Sequence, residues 1–133
     1  MIYNKYLRML TFFIFPVLVF LFAIFVEDFF NLSYFFPWAD IPLHFIGGVS
    51  IGWMVILFFR MWGERDYFRV SKKLISILIV VGVVSLIAVL WEFWEFYFSF
   101  TIGWVYEYSL EDILLDLFMG MLGGLGIAVF SKI

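Results

Sequence analysis

Four stretches of about twenty mainly apolar residues, joined by short polar segments, dominate this sequence; they span roughly residues 6–26, 41–61, 74–98 and 112–130. A hydrocarbon layer ~30 Å thick needs about 20 such residues per helix. Within it every backbone polar group must be paired internally. The pattern therefore predicts an all-α, polytopic membrane protein, a four-transmembrane-helix bundle in which residues 1–133 form a single integral membrane domain. The sustained in–out alternation of a barrel strand is missing. Composition closes off other classes. The chain is 66% hydrophobic and 14% charged, whereas soluble domains are roughly 45–50% apolar and about 25% charged. Its aromatic content excludes disorder. Eight Lys+Arg against eleven Asp+Glu leave no electrostatic footprint for nucleic acid. Without cysteine there is no disulfide framework, thiolate nucleophile or Cys-based metal site.

The first apolar stretch follows Lys5 and Arg8 as a signal peptide would. It is too long for that role, and no small-x-small cleavage site follows Val26, so it reads as an uncleaved first span that Pro16 should bend. Charge then orients the bundle. Lys5 and Arg8 precede the first span. Arg60, Arg65, Arg69, Lys72 and Lys73 separate the second from the third, and Lys132 follows the fourth. With four spans these all fall on one side, which the positive-inside rule makes the cytoplasm. Both termini are expected to be cytoplasmic in a multi-pass cell-membrane protein. The opposite side holds Glu27, Asp28, Glu107 and Glu111, read as solvated loop charges. It also holds Trp38, Trp91, Trp94, Tyr97, Trp104, Tyr106 and Tyr108, read as an interfacial belt.

Three spans carry ionisable residues close to that outer side. The second opens with Asp40 and His44, the third closes with Glu92 and Glu95, and the fourth opens with Asp112 and Asp116. Spacings of three or four residues put each pair on one helix face. Because the spans alternate in direction, all six side chains are expected at a similar depth. Small residues continue the same stripes: Gly47, Gly48 and Gly52 below His44; Gly120, Gly123 and Gly124 below Asp116; Ala88 and Ser85 behind the glutamates. Small residues mark helix–helix contact in membranes, so the polar faces should point inward.

Five carboxylates and one imidazole with no basic side chain beside them repel one another. Shared protons, a bound metal ion or a cationic ligand would relieve this. The preferred reading is a divalent metal ion (Mg, Mn, Ca, Fe or Zn) held by Asp40, His44, Glu92, Glu95, Asp112 and Asp116. Bundle proteins build such sites from carboxylates and His on facing helices. Glu92, Glu95 and Asp116 are the candidate catalytic groups, acting with metal-activated water. Trp91 and Trp94, which flank the glutamates, are candidate substrate contacts. Two acids have structural alternatives. Ser109 to Asp112 fits a capping box opening the fourth span. Asp40 fits an N-cap with Pro42 in the first turn.

The segment Asp40-Ile-Pro-Leu-His44-Phe45-Ile-Gly47 resembles the D-x-x-x-H-F-x-x-G opening of VanZ-like membrane proteins. Glu92-Phe-Trp-Glu95 followed by Asp112-Ile-Leu-Leu-Asp116 and Gly123 is closer still to the uncharacterised YjdF-like inner-membrane family. The resemblance runs from about Asp40 to Gly124 and implies a cell-envelope membrane protein, with a VanZ-like link to glycopeptide tolerance. Three functions are therefore expected to compete. The first is a metal-dependent hydrolase or transferase acting on a membrane lipid or lipid-linked envelope substrate. The second is a non-enzymatic cup for a cationic headgroup, using cation–π contacts. The third is an ion or proton transport subunit, which would need a homo-oligomeric pore because the cytoplasmic half offers only Ser50, Ser76 and Ser85.

Overall fold

The computed structural model of the protein describes residues 3–30, 32–63, 73–102 and 109–131. Over these residues the chain is helical and contains no strand. Its elements are α1 (Tyr3–Phe30), a short α2 (Leu32–Phe35), a 3₁₀ turn (Pro37–Ala39), α3 (Asp40–Gly63), α4 (Lys73–Ile102) and α5 (Leu110–Phe130). The basic residues Arg65, Arg69, Lys72 and Lys132, and Trp104, Tyr106, Glu107 and Tyr108, expected on the opposite side, lie outside the described residues. The side chains of Lys5, Arg8, Glu27 and Asp28 do as well.

Among the described residues, three helices are long and apolar enough to cross a membrane, over Asp40–Met61, Lys73–Phe98 and Leu110–Phe130. Among the residues whose side chains are described, α1 adds an apolar stretch over Leu10–Val26, within a 28-residue helix that runs on through Pro16. Large apolar side chains point outward around the bundle; Phe93 is 67% exposed and Phe100 84%. Water tolerates no such surface on a monomer, whereas hydrocarbon solvates it at no cost.

If lipid tails are as apolar as the helices, packing must come from close fit. The central helix is α3, which packs against α5, α4 and α1, while α4 also packs against α5. Glycines set the α3–α5 crossing. A Cβ on Gly48 would run into the carbonyl of Gly120, and one on Gly123 into the carbonyl of Phe45. A Cβ on Gly124 would lie 2.7 Å from Cγ2 of Val84, which brings α4 into the same junction. Gly47 departs from the expected packing stripe, because an added Cβ there meets nothing within 4 Å.

Away from the acidic end the three helices close over a dry core of Val55, Ile56, Phe59, Val80, Val84 and Ala128. Two buried hydroxyls interrupt it, Ser50 and Ser76. Ser50 turns back to donate to the Gly47 carbonyl at 2.7 Å.

The glycine crossing makes a test with opposite signs at two positions. Alanine is favoured over glycine in a helix by ~1 kcal/mol. At Gly48 the new methyl has no room beside Gly120, so Gly48→Ala should lower stability by about 1–3 kcal/mol. At Gly126 an added Cβ meets only open space, so Gly126→Ala should be neutral or stabilising. Thermal unfolding of both variants in detergent micelles reads the difference.

Candidate functional site

The antiparallel course of α3 and α4, and the return of α5, bring three helix ends together. His44 lies one turn into α3, Glu92 and Glu95 lie in the C-terminal half of α4, and Asp116 lies two turns into α5. His44 is the hub. Its Nε2 is 3.4 Å from Oδ1 of Asp40 and 3.9 Å from Oδ2 of Asp116. Its Nδ1 is 3.9 Å from Oε1 of Glu92. The side chains of His44, Glu92 and Asp116 are 9%, 10% and 10% exposed, so the contacts are held largely out of water.

Two overlapping groups have their ligand atoms within 4.8 Å of one another: Asp40–His44–Asp116 and His44–Glu92–Glu95. The imidazole belongs to both. A neutral imidazole has one lone pair and one N–H, so only one group can use its nitrogen as a ligand. Distance alone would admit a shared ion in either group, since Nε2 is also 3.9 Å from Asp116; the unpaired oxygen of Glu92 favours the glutamate group. At 3.4 Å, Nε2–H lies within hydrogen-bonding reach of Asp40. At 3.9 Å, Nδ1 and Glu92 Oε1 are too far apart to hydrogen-bond. Two ligands each ~2.1 Å from one ion stand at most ~4.2 Å apart. Glu92 Oε1 is also fully buried and has no hydrogen-bond partner. A buried carboxylate oxygen without a donor costs free energy that a cation would offset.

The other candidates fall differently. Asp112 is exposed and stays out of both groups. It completes a capping box: its N–H donates to Ser109 Oγ at 3.0 Å, and that hydroxyl donates to Asp112 Oδ2 at 2.6 Å. Asp40 has helical dihedrals, φ −67° and ψ −38°, where an N-cap would be extended. Its carboxylate turns along the helix to His44 instead. Trp91 and Trp94 are engaged with other rings. Their centroids are 5.1 Å apart, Trp91 meets Phe20 edge-on at 5.2 Å, and Trp94 lies 4.5 Å from Phe98.

A cavity of about 170 Å³ opens under the cluster. Asp40, His44 and Glu95 form its polar end, and α1 contributes Pro16, Phe20 and Ala23 to its wall. The sequence reading did not include α1 in the site. The signal is the spacing of residues 16, 19, 20, 23 and 24, which share one face of α1. Between Phe12 and Val26 every residue of α1 is apolar, so nothing else distinguishes that face from the lipid-facing one.

Apolar helices of membrane-spanning length around a buried cluster of acids and one histidine define an integral membrane protein with an intramembrane polar site. The family model for "Predicted membrane protein (DUF2238)" matches residues 1–133, and the chain belongs to that family. This is the YjdF-like family that its motifs resemble. No curated protein and no solved structure matches the chain.

The division of labour between the two aspartates of α5 is testable. Ser109→Ala removes the cap and should cost about 1 kcal/mol of stability, measured by denaturant unfolding, while leaving the geometry around His44 intact. Asp112→Ala should cost less than Ser109→Ala, since the Asp112 backbone N–H still donates to Ser109 Oγ and only the exposed side-chain bond is lost.

Proposed function

We propose that this protein is a four-span membrane protein that holds a divalent cation near the outer face and uses it on the polar head of a lipid or lipid-linked envelope molecule. The observation that carries the reading is Glu92 Oε1, buried and unpartnered beside His44 Nδ1. In this reading His44 Nδ1, Glu92 and Glu95 ligate the ion. Asp40 accepts the Nε2–H hydrogen bond and fixes the tautomer, as the outer-shell partners of metal-bound histidines do. Asp116, 3.9 Å from Nε2 on the side of the imidazole away from the ion, acts through the ring, adding negative charge behind the Nε2–H and raising the basicity of Nδ1. One nitrogen with carboxylate oxygens suits Mn²⁺, Fe²⁺ or Zn²⁺ better than the hard, all-oxygen ions.

The fourth span is α1. Its 28 residues rise ~42 Å, more than the ~30 Å hydrocarbon layer, and the stretch Leu10–Val26 within it is apolar. The bias of Lys and Arg places both termini in the cytoplasm and the acidic cluster outside. A VanZ-like role in envelope tolerance is compatible with a site at that depth. Transport through a single protomer has less support, because the half beyond the cluster is a closed apolar core. The hydroxyls of Ser50 and Ser85 are also turned onto the carbonyls of their own helices. A cation–π cup has less support too, since Trp91 and Trp94 spend their contacts on neighbouring rings.

Equilibrium dialysis of detergent-purified protein against Mn²⁺ or Zn²⁺, followed by elemental analysis, tests the reading. Wild type should bind about one ion per chain. His44→Ala and Glu92→Gln should abolish binding, Asp40→Asn should weaken it ~10–100-fold, and Asp112→Asn should leave it unchanged. Binding should also weaken on acidification, because the ligands must lose their protons to bind. Wild-type protein that takes up no ion, or binding indifferent to His44 and Glu92, would overturn the proposal.

A further inference from the structure

Below the polar cluster the cavity changes character. Past Asp40, His44 and Glu95, its walls are Val19 and Phe20 of α1, Ile51 of α3, and Val84 and Ile87 of α4, with the Ser50 hydroxyl turned onto the Gly47 carbonyl. From Glu95 to Val84 is eleven residues of α4, so the cavity reaches ~16 Å along the helix. Its volume of about 170 Å³ is that of a dry apolar void able to hold a small hydrocarbon, for which ~150 Å³ suffices.

The cavity also has a side that backbone packing does not close. α1 lies along α3 and makes no comparable contact with α4 or α5 among the described residues. Only side chains bridge α1 to α4: the Phe20 ring stands 5.2 Å from Trp91 and 6.1 Å from Trp94. Aromatic rings of this kind separate with a rotamer change, without unfolding a helix. The space outside the seam is lipid hydrocarbon, and an apolar void reached through it will be filled from there.

We propose that this cavity is the chain subsite of an amphiphile with a single hydrocarbon chain and a phosphate head, which enters sideways between α1 and α4 past Phe20, Trp91 and Trp94. The chain lies along Ile51, Val84 and Ala88. The head reaches the polar end at His44 and Glu95, where a cation compensates its charge. The head assignment rests on the cation reading above; the chain subsite does not. The cavity has room for a segment of one chain and not for the paired chains of a diacyl lipid. Gly47 follows from the same picture. It lines the cavity with open space where a side chain would start, so the missing side chain is room for the ligand.

Photolabelling tests this in nanodisc-embedded, Mn²⁺-loaded protein. The probe is a long-chain alkyl phosphate with a diazirine in mid-chain, and labelled positions are mapped by mass spectrometry. The proposal predicts label on the α1, α3 and α4 segments that line the cavity. It predicts at least a tenfold loss of that label in Gly47→Phe, and the same loss in Ala88→Phe, a second blocking variant on another helix. Gly82→Phe, which points into open space on an exposed stretch of α4, should label as wild type. Ion content measured on each sample reports whether the polar end is intact. Ion-loaded protein labelled only on its outer surface, or labelled equally in both blocked variants, would overturn the chain subsite and leave the cation reading standing. Cavity labelling that persists in protein unable to bind an ion would keep the subsite and overturn the cation-held head.

Discussion

Four carboxylates and one imidazole share a space walled by hydrocarbon, and the architecture around them follows from that constraint. Charge out of water is costly unless paired, and one partner cannot satisfy four. His44 spreads itself between both sides, with Nε2 toward Asp40 and Asp116 and Nδ1 toward Glu92. That contact set needs three helices at close range. The range is set by Gly48, Gly123 and Gly124, where no Cβ has room. The glycine crossing and the polar cluster are thus one design: the first makes the second geometrically available.

The bundle is polarised along its length as a result. One end is a buried polar cluster with an unpaired carboxylate oxygen. The other is a core of branched aliphatic side chains around Ile56 and Val80, both wholly buried. Between them lies the cavity, whose polar end and apolar walls reproduce the polarity profile of half a bilayer. Such a gradient suits a ligand that is itself amphipathic, and it suits an ion that stays at one end better than an ion that crosses.

Residue spacing made much of this legible in advance. The i,i+4 pair of Asp40 and His44 and the i,i+3 pair of Glu92 and Glu95 fixed which faces would meet, and the glycine stripes said those faces were buried. Other features stayed hidden for physical reasons. Asp112 and Asp116 share a face, yet they part company because Ser109 captures the first at the helix start. Only coordinates reveal how such a competition ends. α1 carries no polar residue between Phe12 and Val26 to mark its inner face, so its share of the cavity left no trace except the regular spacing of Pro16, Phe20 and Ala23. Gly47 reads in sequence like its neighbour Gly48, but one abuts a cavity and the other a helix.

The most direct test of the account is pulsed EPR of Mn²⁺ bound to the purified protein, which detects ¹⁴N nuclei coupled to the metal. The account predicts coupling to a single imidazole nitrogen that disappears in His44→Ala and survives in Asp112→Asn. A Mn²⁺ spectrum with no nitrogen coupling in the wild-type protein would contradict it, and the acids would then have to be compensated by something other than an ion at His44.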